Sequence, residues 1–192
     1  MKKTVVYKNE QSFGKMNNIS SAMALFFRYP RREFTLTEVA KETALSKGAM
    51  SHIISELAKA GFVTISAIGK AYRIRADVEG SLYKKEKAAY NIAGIIRSGL
   101  PEFLASRHHH PRCIVLFGSF RRGEDDEDSD IDIAVEVPAG EETGSIEHKE
   151  LRSFGRQMGR KISIHLYDRK TIDRNVFLSI ANGIVLYGLL EI

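Results

Sequence analysis

An apolar run, Ile114-Val115-Leu116-Phe117, breaks at Gly118-Ser119, and two carboxylates, Asp130 and Asp132, then interrupt a second apolar run of Ile131, Ile133, Val135 and Val137. Carboxylates are disfavoured inside strands, so this pair constrains the fold more than any other feature. Residues i and i+2 of a strand point to one face. Asp130 and Asp132 are therefore predicted to project side by side from a strand whose other face is apolar. Two fixed carboxylates form a seat for a hard divalent cation such as Mg²⁺. A Gly-Ser turn running into a helix offers backbone N–H groups and a positive dipole end to a phosphate. Together they make the equipment of phosphoryl or nucleotidyl transfer.

Other readings of the same stretch fare unequally. Glu124 to Asp128 is predicted to be a solvated acidic loop, as most charge runs are, but that leaves Asp130 and Asp132 unexplained. A calcium loop fails: Asp126, Asp128 and Asp130 have the 1, 3, 5 spacing, but the sixth position is Ile131 and the twelfth is Val137. No G-x-x-x-x-G-K-[ST] string occurs, which excludes a P-loop.

The 192 residues suffice for one ordinary domain or two small ones. Charge favours two. Residues 1–110 carry 18 Lys/Arg against 9 Asp/Glu, while residues 111–192 carry 11 against 15. A basic half joined to an acidic half suggests a first module with a polyanionic partner. The apolar runs are too short for a membrane span, and Lys8, Asn9 and Glu10 interrupt any signal-peptide core after Met1-Lys2-Lys3. One cysteine, Cys113, excludes an internal disulfide framework and suits a reducing cytoplasm, the expected location.

In chain order, residues 1–15 show no clear period; Thr4–Tyr7 reads as a lone strand or part of a mobile tail. From Asn17 a helical face of Ile19, Met23, Phe26 and Phe27 runs to a stop at Pro30. Thr35 and Glu38 have capping-box spacing before a short helix to about Ala44 that buries Leu36, Val39 and Ala40. After a turn at Leu45-Ser46, a helix over about Lys47–Ala60 buries Met50, Ile53, Ile54, Leu57 and Ala58. Its opposite face offers Lys47, Ser51 and His52. Gly61 closes it. Phe62–Ser66 and Ala71–Arg75 form a hairpin with Lys70 at its tip, Tyr72 and Ile74 facing in, and Arg73 and Arg75 facing out. Residues 17–77, with LTEVAKETALSKGAMSHIISELAKAGFV at their centre, resemble a winged helix-turn-helix. The resemblance implies double-stranded DNA as partner, with Lys47, Ser51 and His52 on the groove helix and Lys70, Arg73 and Arg75 on the wing. Such units also serve as protein-interaction or dimerisation modules, so a homodimer stays open.

Residues 79–110 read as a helical linker with a stripe of Leu82, Ala89, Ile92, Ala93 and Ile96, exposed Lys84, Lys85 and Lys87, and a second short helix starting at Pro101. His108-His109-His110 diverge on any regular backbone and read as solvated connector rather than metal ligands. Residues 111–192 alternate between elements: a strand at Cys113–Phe117, a short helix, the acidic loop, a strand at Asp130–Val137, and a helix over about Ser145–Gly159 burying Leu151, Phe154 and Met158. A strand at Lys161–Tyr167, a helix capped by Asp168 with Ile172, Val176, Phe177, Ile180 and Ala181 as its apolar face, and an extended Ile184–Leu190 complete the chain.

The string GSFRRGEDDEDSDIDIAVEV resembles the signature of the minimal nucleotidyltransferases, a branch of the DNA polymerase β-like superfamily, and IANGIVLYG resembles that family's C-terminal segment. The likeness covers about residues 111–188. It implies an α+β chain, with a winged helix-turn-helix followed by a small α/β nucleotidyltransferase domain on a mixed sheet. It further implies that Gly118 and Ser119 hold the triphosphate of an NTP, with ATP the expected donor, and that Asp130 and Asp132 bind Mg²⁺ or Mn²⁺. Arg122 and Gly123 match the family's Arg-Gly after the Gly-Ser, Ser129 matches the Ser before the first Asp, and the likeness implies nucleotide binding by Arg122 and Ser129. The Gly-Ser, ten residues, Asp-x-Asp form also resembles antitoxin members that transfer AMP to a HEPN-type protein partner. One departure stands out. The family carries a third carboxylate on the next strand after a basic and an apolar residue, and Arg160-Lys161-Ile162 leads here to Ser163, which is no anionic ligand. His165, two residues on, is the candidate base. Two functions follow: metal-dependent nucleotidyl transfer coupled to DNA binding, or a DNA-binding regulator whose transferase domain senses nucleotide or docks a partner without turnover.

Overall fold

The computed structural model describes residues 10–69, 71–139, 143–146 and 150–191, and divides into two compact units, residues 1–80 and 81–192. The Thr4–Tyr7 strand and Lys70 lie outside the described residues. Among the described residues no helix is long and apolar enough to cross a membrane.

In the first unit, α1 (Glu10–Arg28), α2 (Leu36–Glu42) and α3 (Lys47–Lys59) precede a hairpin of β1 (Val63–Ile68) and β2 (Ala71–Ala76). The start of α1 at Glu10 lies seven residues before the first clear apolar period at Asn17. The capping box forms: Glu38 N–H donates to the Thr35 hydroxyl at 3.2 Å, and Thr35 N–H donates to Glu38 Oε2 at 2.7 Å. The Thr35 N–H and hydroxyl, both donating to the Glu38 carboxyl, hold it below the usual range. Ser46 caps α3 by accepting from Ala49 N–H. Met50, Ile53, Ile54 and Leu57 of α3 are buried with Phe26, Phe27, Phe34 and Val39. Phe34 pairs through its backbone with Ile74, tying the loop after α1 to β2.

The hairpin corrects one expectation. Ile74 is buried, but Tyr72 is 67% exposed rather than facing in. Strand alternation places both on one face, but that face is covered only at its base. Ile65, which pairs with Ile74, and Ile68 at the tip are also exposed, so the distal half of the hairpin projects from the body of the unit.

The second unit begins with α4 (Ser81–Ser98) and α5 (Leu100–Arg107). A five-stranded mixed sheet follows in the order β5-β6-β4-β3-β7, built from β3 (Cys113–Phe117), β4 (Ile131–Glu136), β5 (Gly144–Ile146), β6 (Ile162–Tyr167) and β7 (Ile184–Gly188). Among the described residues, only the β4–β6 pair of this sheet is parallel. α6 (Leu151–Met158) and α7 (Arg174–Ala181) complete it. Ile114, Leu116, Ile131, Ile133, Val135, Ile162 and Ile164 form one sheet face, buried with Ile95, Leu100, Leu104 and Leu151. Cys113, Val115, Ala134 and Tyr167 form the other face, buried with Ile180 of α7.

Residues 79–110 are no free linker. The buried face of α4 is Tyr83, Lys87, Asn91 and Ile95, an i, i+4 row, whereas Leu82 and Ile96 of the predicted stripe are exposed. The row contains a lysine and an asparagine because it meets a buried carboxylate. Asp125, in the supposedly solvated acidic loop, is 3% exposed. Lys87 Nζ lies 3.0 Å from Asp125 Oδ1 and also donates to the Asp125 carbonyl. Asn91 donates to Asp125 Oδ1 and to the Phe120 carbonyl, each at 2.8 Å, and Arg160 Nη2 reaches Asp125 Oδ2 at 3.2 Å. Burial pulls the Lys87 ammonium down and Asp125 opposes that shift, while burial pushes the Tyr83 hydroxyl up.

Smaller corrections follow. Gly144–Ile146 pairs with β6 as an edge strand, and α6 begins only at Leu151, not near Ser145. Asp173, not Asp168, caps α7, accepting from Asn175 and Val176 N–H. Asp168 instead accepts from Lys170 N–H in the preceding turn. Ile172 precedes α7, and Val176 is exposed.

Candidate functional site

Asp130 and Asp132 stand where β4 begins, beside the end of β3 and the start of β6. Asp132 is opposite Phe117 in the antiparallel pair with β3 and opposite Ser163 in the parallel pair with β6. Alternation then puts Asp130, Asp132, Phe117, Ser163 and His165 on one sheet face. It is the face that α7 covers farther along, at Val115, Ala134 and Tyr167. The site is the uncovered end of that face.

Asp130 precedes the first residue of β4, and its Oδ2 accepts a hydrogen bond from the Ser163 hydroxyl at 3.0 Å. Asp132 Oδ1 lies 3.4 Å from His165 Nε2, with both side chains about one-third exposed (30% and 38%). The His165 ring meets Phe117 edge-on, ring centroids 5.3 Å apart. Phe117 was not legible as a site residue, because its place depends on the β3–β4 register.

Gly118 has a left-handed backbone, φ +74°, and a Cβ there would collide with Asp132 Oδ2. Glycine is thus required twice, for the conformation and for the room it leaves the carboxylate. The turn continues through Ser119 into a single 3₁₀ turn, Phe120–Arg122. This element is too short for the helix dipole that the Gly-Ser turn was predicted to provide. Its hydrogen bonds run from Arg122 N–H and Glu124 N–H to the Ser119 carbonyl. Gly123 has φ +68°, and a Cβ would strike the Lys84 carbonyl of α4. In the Arg-Gly pair, therefore, the glycine seats the turn on α4.

The other predicted residues have local partners. Arg122 Nε donates to Glu124 Oε2 at 2.6 Å on the surface, and that bond holds the Glu124 carboxyl below the usual range. The Ser129 hydroxyl donates to Asp126 Oδ1 at 2.9 Å and accepts from Asp126 N–H at 3.0 Å. Ser129 thus shapes the loop that delivers Asp130. Lys47, Ser51 and His52 are exposed on α3 in the first unit. Arg75 is exposed and donates to the Thr64 hydroxyl at 3.1 Å across the hairpin, and Arg73 is half-buried.

Among the described residues no three His, Cys, Asp or Glu side chains cluster as a ready-made metal cage. A pair of carboxylates fits a different demand. Mg²⁺ keeps several waters and is usually held by one or two carboxylates together with substrate phosphates. The gap at Gly118 and the partly exposed oxygens of Asp130 and Asp132 suit that donor set.

His108, His109 and His110 follow α5, and His109 and His110 both adopt positive φ. His110 Nδ1 lies 3.1 Å from the Tyr187 hydroxyl. They lie at the opposite end of the sheet, near Glu136 and Asp168.

Comparison with known proteins bears on the second unit. No curated protein and no solved structure matches the chain. A family model described as Nucleotidyltransferase domain matches residues 98–185, a stretch that contains Gly118, Asp130, Asp132, Ser163 and His165. That match, over the stretch that carries the two carboxylates, supports the nucleotidyltransferase superfamily for this part of the chain.

Proposed function

We propose that the chain transfers a nucleoside monophosphate from an NTP, with ATP the expected donor, to an acceptor, and that its first unit binds DNA. The observation that carries this reading is the shared face of Asp130, Asp132, Ser163 and His165 beside the Gly118 gap. Asp130 and Asp132 would hold Mg²⁺ or Mn²⁺, which when bound polarises the α-phosphate and offsets charge on the leaving pyrophosphate. Gly118 brings its backbone against Asp132, and Ser119 follows it in the turn. His165 would take the acceptor hydroxyl proton on the ring nitrogen that does not face Asp132, and Asp132, 3.4 Å from Nε2, would stabilise the imidazolium that results. Phe117 limits the ring to an edge-on position.

Ser163 favours a second reading. It stands opposite Asp132, where relatives are expected to carry a third carboxylate, and its hydroxyl occupies one oxygen of Asp130. The site then binds nucleotide and turns over slowly or not at all, serving a DNA-binding regulator. Pyrophosphate release separates the two. Ser163→Asp is expected to raise turnover at least about tenfold, since general-base assistance is typically worth ~10²–10⁴-fold. If His165 already serves as base, His165→Ala abolishes release and Ser163→Asp adds little. Fast wild-type turnover that survives His165→Ala would sink the assignment of the base.

The first unit supports DNA binding as a winged helix-turn-helix: a capped pair α2–α3, exposed Lys47, Ser51 and His52, and a projecting hairpin carrying Arg73 and Arg75. The prediction is salt-dependent binding to duplex DNA, weakened several-fold or more by Arg73→Ala/Arg75→Ala. A gel-shift or anisotropy titration at two salt concentrations checks it, and unchanged affinity in the variant overturns the wing assignment. An AMP-accepting HEPN-type partner and a homodimer belong to the same proposal. Either would appear on co-purification and mass measurement.

A further inference from the structure

The two halves of the candidate site are held in different ways. Asp132 and Phe117 face each other in the β3–β4 ladder, and Gly118 continues directly from β3, so the sheet fixes that half. Ser119 and Asp130 lie outside the strands. Ser119 comes after the end of β3, and Asp130 comes before the first residue of β4. The chain that joins them, Phe120–Ser129, is anchored on α4.

Asn91 of α4 is 5% exposed, and its amide nitrogen donates to the Phe120 carbonyl and to Asp125 Oδ1, each at 2.8 Å. A carbonyl and a carboxylate only accept, so the amide presents its NH₂ group, one hydrogen to each. From Phe120 the link runs one residue back to Ser119, whose carbonyl accepts from Arg122 N–H at 3.0 Å and from Glu124 N–H at 3.1 Å. From Asp125 it runs forward through a closed turn. The Ser129 hydroxyl and Asp126 exchange two hydrogen bonds, Ser129 N–H donates to the Asp126 carbonyl, and Asp128 N–H donates to Asp126 Oδ1. Asp130 is the next residue. One buried amide thus joins two stiff pieces of chain, the first beginning at Ser119 and the second ending at Asp130. Lys87 and Arg160 also hold Asp125; the bond to Phe120 is what Asn91 adds.

We propose that Asn91 is a positioning residue for the candidate site, setting Ser119 relative to Asp130 through its two hydrogen bonds. The role rests on the reading of this unit as a nucleotidyltransferase, in which Asp130 and Asp132 hold a divalent cation and Gly118 and Ser119 face the triphosphate. With the amide in place the spacing is set before ligand arrives, and binding carries no added cost of ordering the loop. Without it the Phe120 carbonyl loses one of its donors, while Asp125 keeps Lys87 and Arg160. The two pieces of chain then shift independently, and the carboxylate at the end of one no longer has a fixed place relative to the turn in the other. A role in stability alone makes a different demand: it lowers the melting temperature and leaves the folded site unchanged.

The test uses the full chain and needs no turnover. Asn91→Leu keeps the volume of the side chain and donates nothing; Asn91→Ala takes its place should the leucine variant fail to fold. Leu104→Ala, in the core on α5, supplies a loss of thermal stability away from the amide. Bound Mn²⁺ is measured by electron paramagnetic resonance with an α,β-methylene analogue of ATP present, well below every melting midpoint. Asn91→Leu is expected to weaken Mn²⁺ binding about tenfold, the low end of what outer partners of metal ligands cost, and Leu104→Ala to bind like wild type. Hydrogen exchange at the Glu124 and Ser129 amides, read without ligand, is expected to quicken at both in Asn91→Leu and by more than in Leu104→Ala. Wild-type Mn²⁺ affinity in the Asn91 variant overturns the proposal. So does an equal loss of affinity in Leu104→Ala, or exchange that quickens on one side of the amide only. If wild type binds no Mn²⁺ with the nucleotide, the nucleotidyltransferase reading fails, and the exchange pattern alone decides whether Asn91 joins the two pieces of chain.

Discussion

Asp125→Ala is expected to destabilise the second unit by about 3–5 kcal/mol, the usual cost of removing one partner from a buried ion pair. The loss is large because three donors converge on this carboxylate, Lys87, Asn91 and Arg160, and all four side chains are buried. Removing it leaves two buried cations facing each other without the carboxylate they share. Hydrogen exchange at Ala88–Asn91 of α4 and at Phe120–Arg122 reads the loss within this unit, without assuming that the two units unfold together. A loss below about 1 kcal/mol would show that the network is dispensable. Lys87→Met supplies the complementary measurement: Asp125 keeps Arg160 and Asn91, so a smaller loss is expected.

Asp130→Asn/Asp132→Asn is expected to reduce pyrophosphate release at least about a thousandfold, about 4 kcal/mol of barrier, because it removes both anionic seats for the cation. The substitutions are nearly isosteric, and both positions are partly exposed at the sheet end. Folding should therefore persist, and thermal melts should overlay those of wild type. Titration with Mn²⁺ in the presence of nucleotide isolates the binding step. Equal Mn²⁺ affinity in wild type and variant would refute the carboxylate seat, even if turnover fell.

Local signals survived translation into structure where one element supplies both the signal and its cause. The Thr35–Glu38 box caps α2, and Met50, Ile53, Ile54 and Leu57 line the core because a helix repeats every 3.6 residues whatever surrounds it. The Asp130–Asp132 pair was legible for the same reason, since a strand's period of two needs no partner. Features set by distant partners were not. Lys87 read as surface on α4 because the carboxylate that justifies burying it lies in a loop more than thirty residues away. Asp125 read as solvent-exposed because four acidic neighbours hid it in a charge run. A visible clue existed in the 83, 87, 91, 95 spacing, where one apolar and one aromatic residue bracket two polar ones. Tyr72 was misplaced for a different reason: alternation gives the face of a strand but not how far the body beneath it extends. Asp173 displaced Asp168 as the cap of α7 because both are aspartates before a helical period, and only the later one meets the first free N–H groups.

The buried cluster around Asp125 also orders events in time. Lys87 is 38 residues before Asp125 and Arg160 is 35 after it. Two long loops must close before the three side chains meet, and each closure costs chain entropy with nothing returned until the contact is made. The helices and the β3–β4 pairing involve shorter separations and do not wait for it. Closure of this cluster is thus a non-local step, as the longer-range β3–β7 pairing is, and the loop that delivers Asp130 to its place is tied to it. Until then the chain holds an exposed lysine, an exposed aspartate and an exposed arginine that keep it soluble. The same three charges that are costly in the folded interior act as protection against aggregation on the way there.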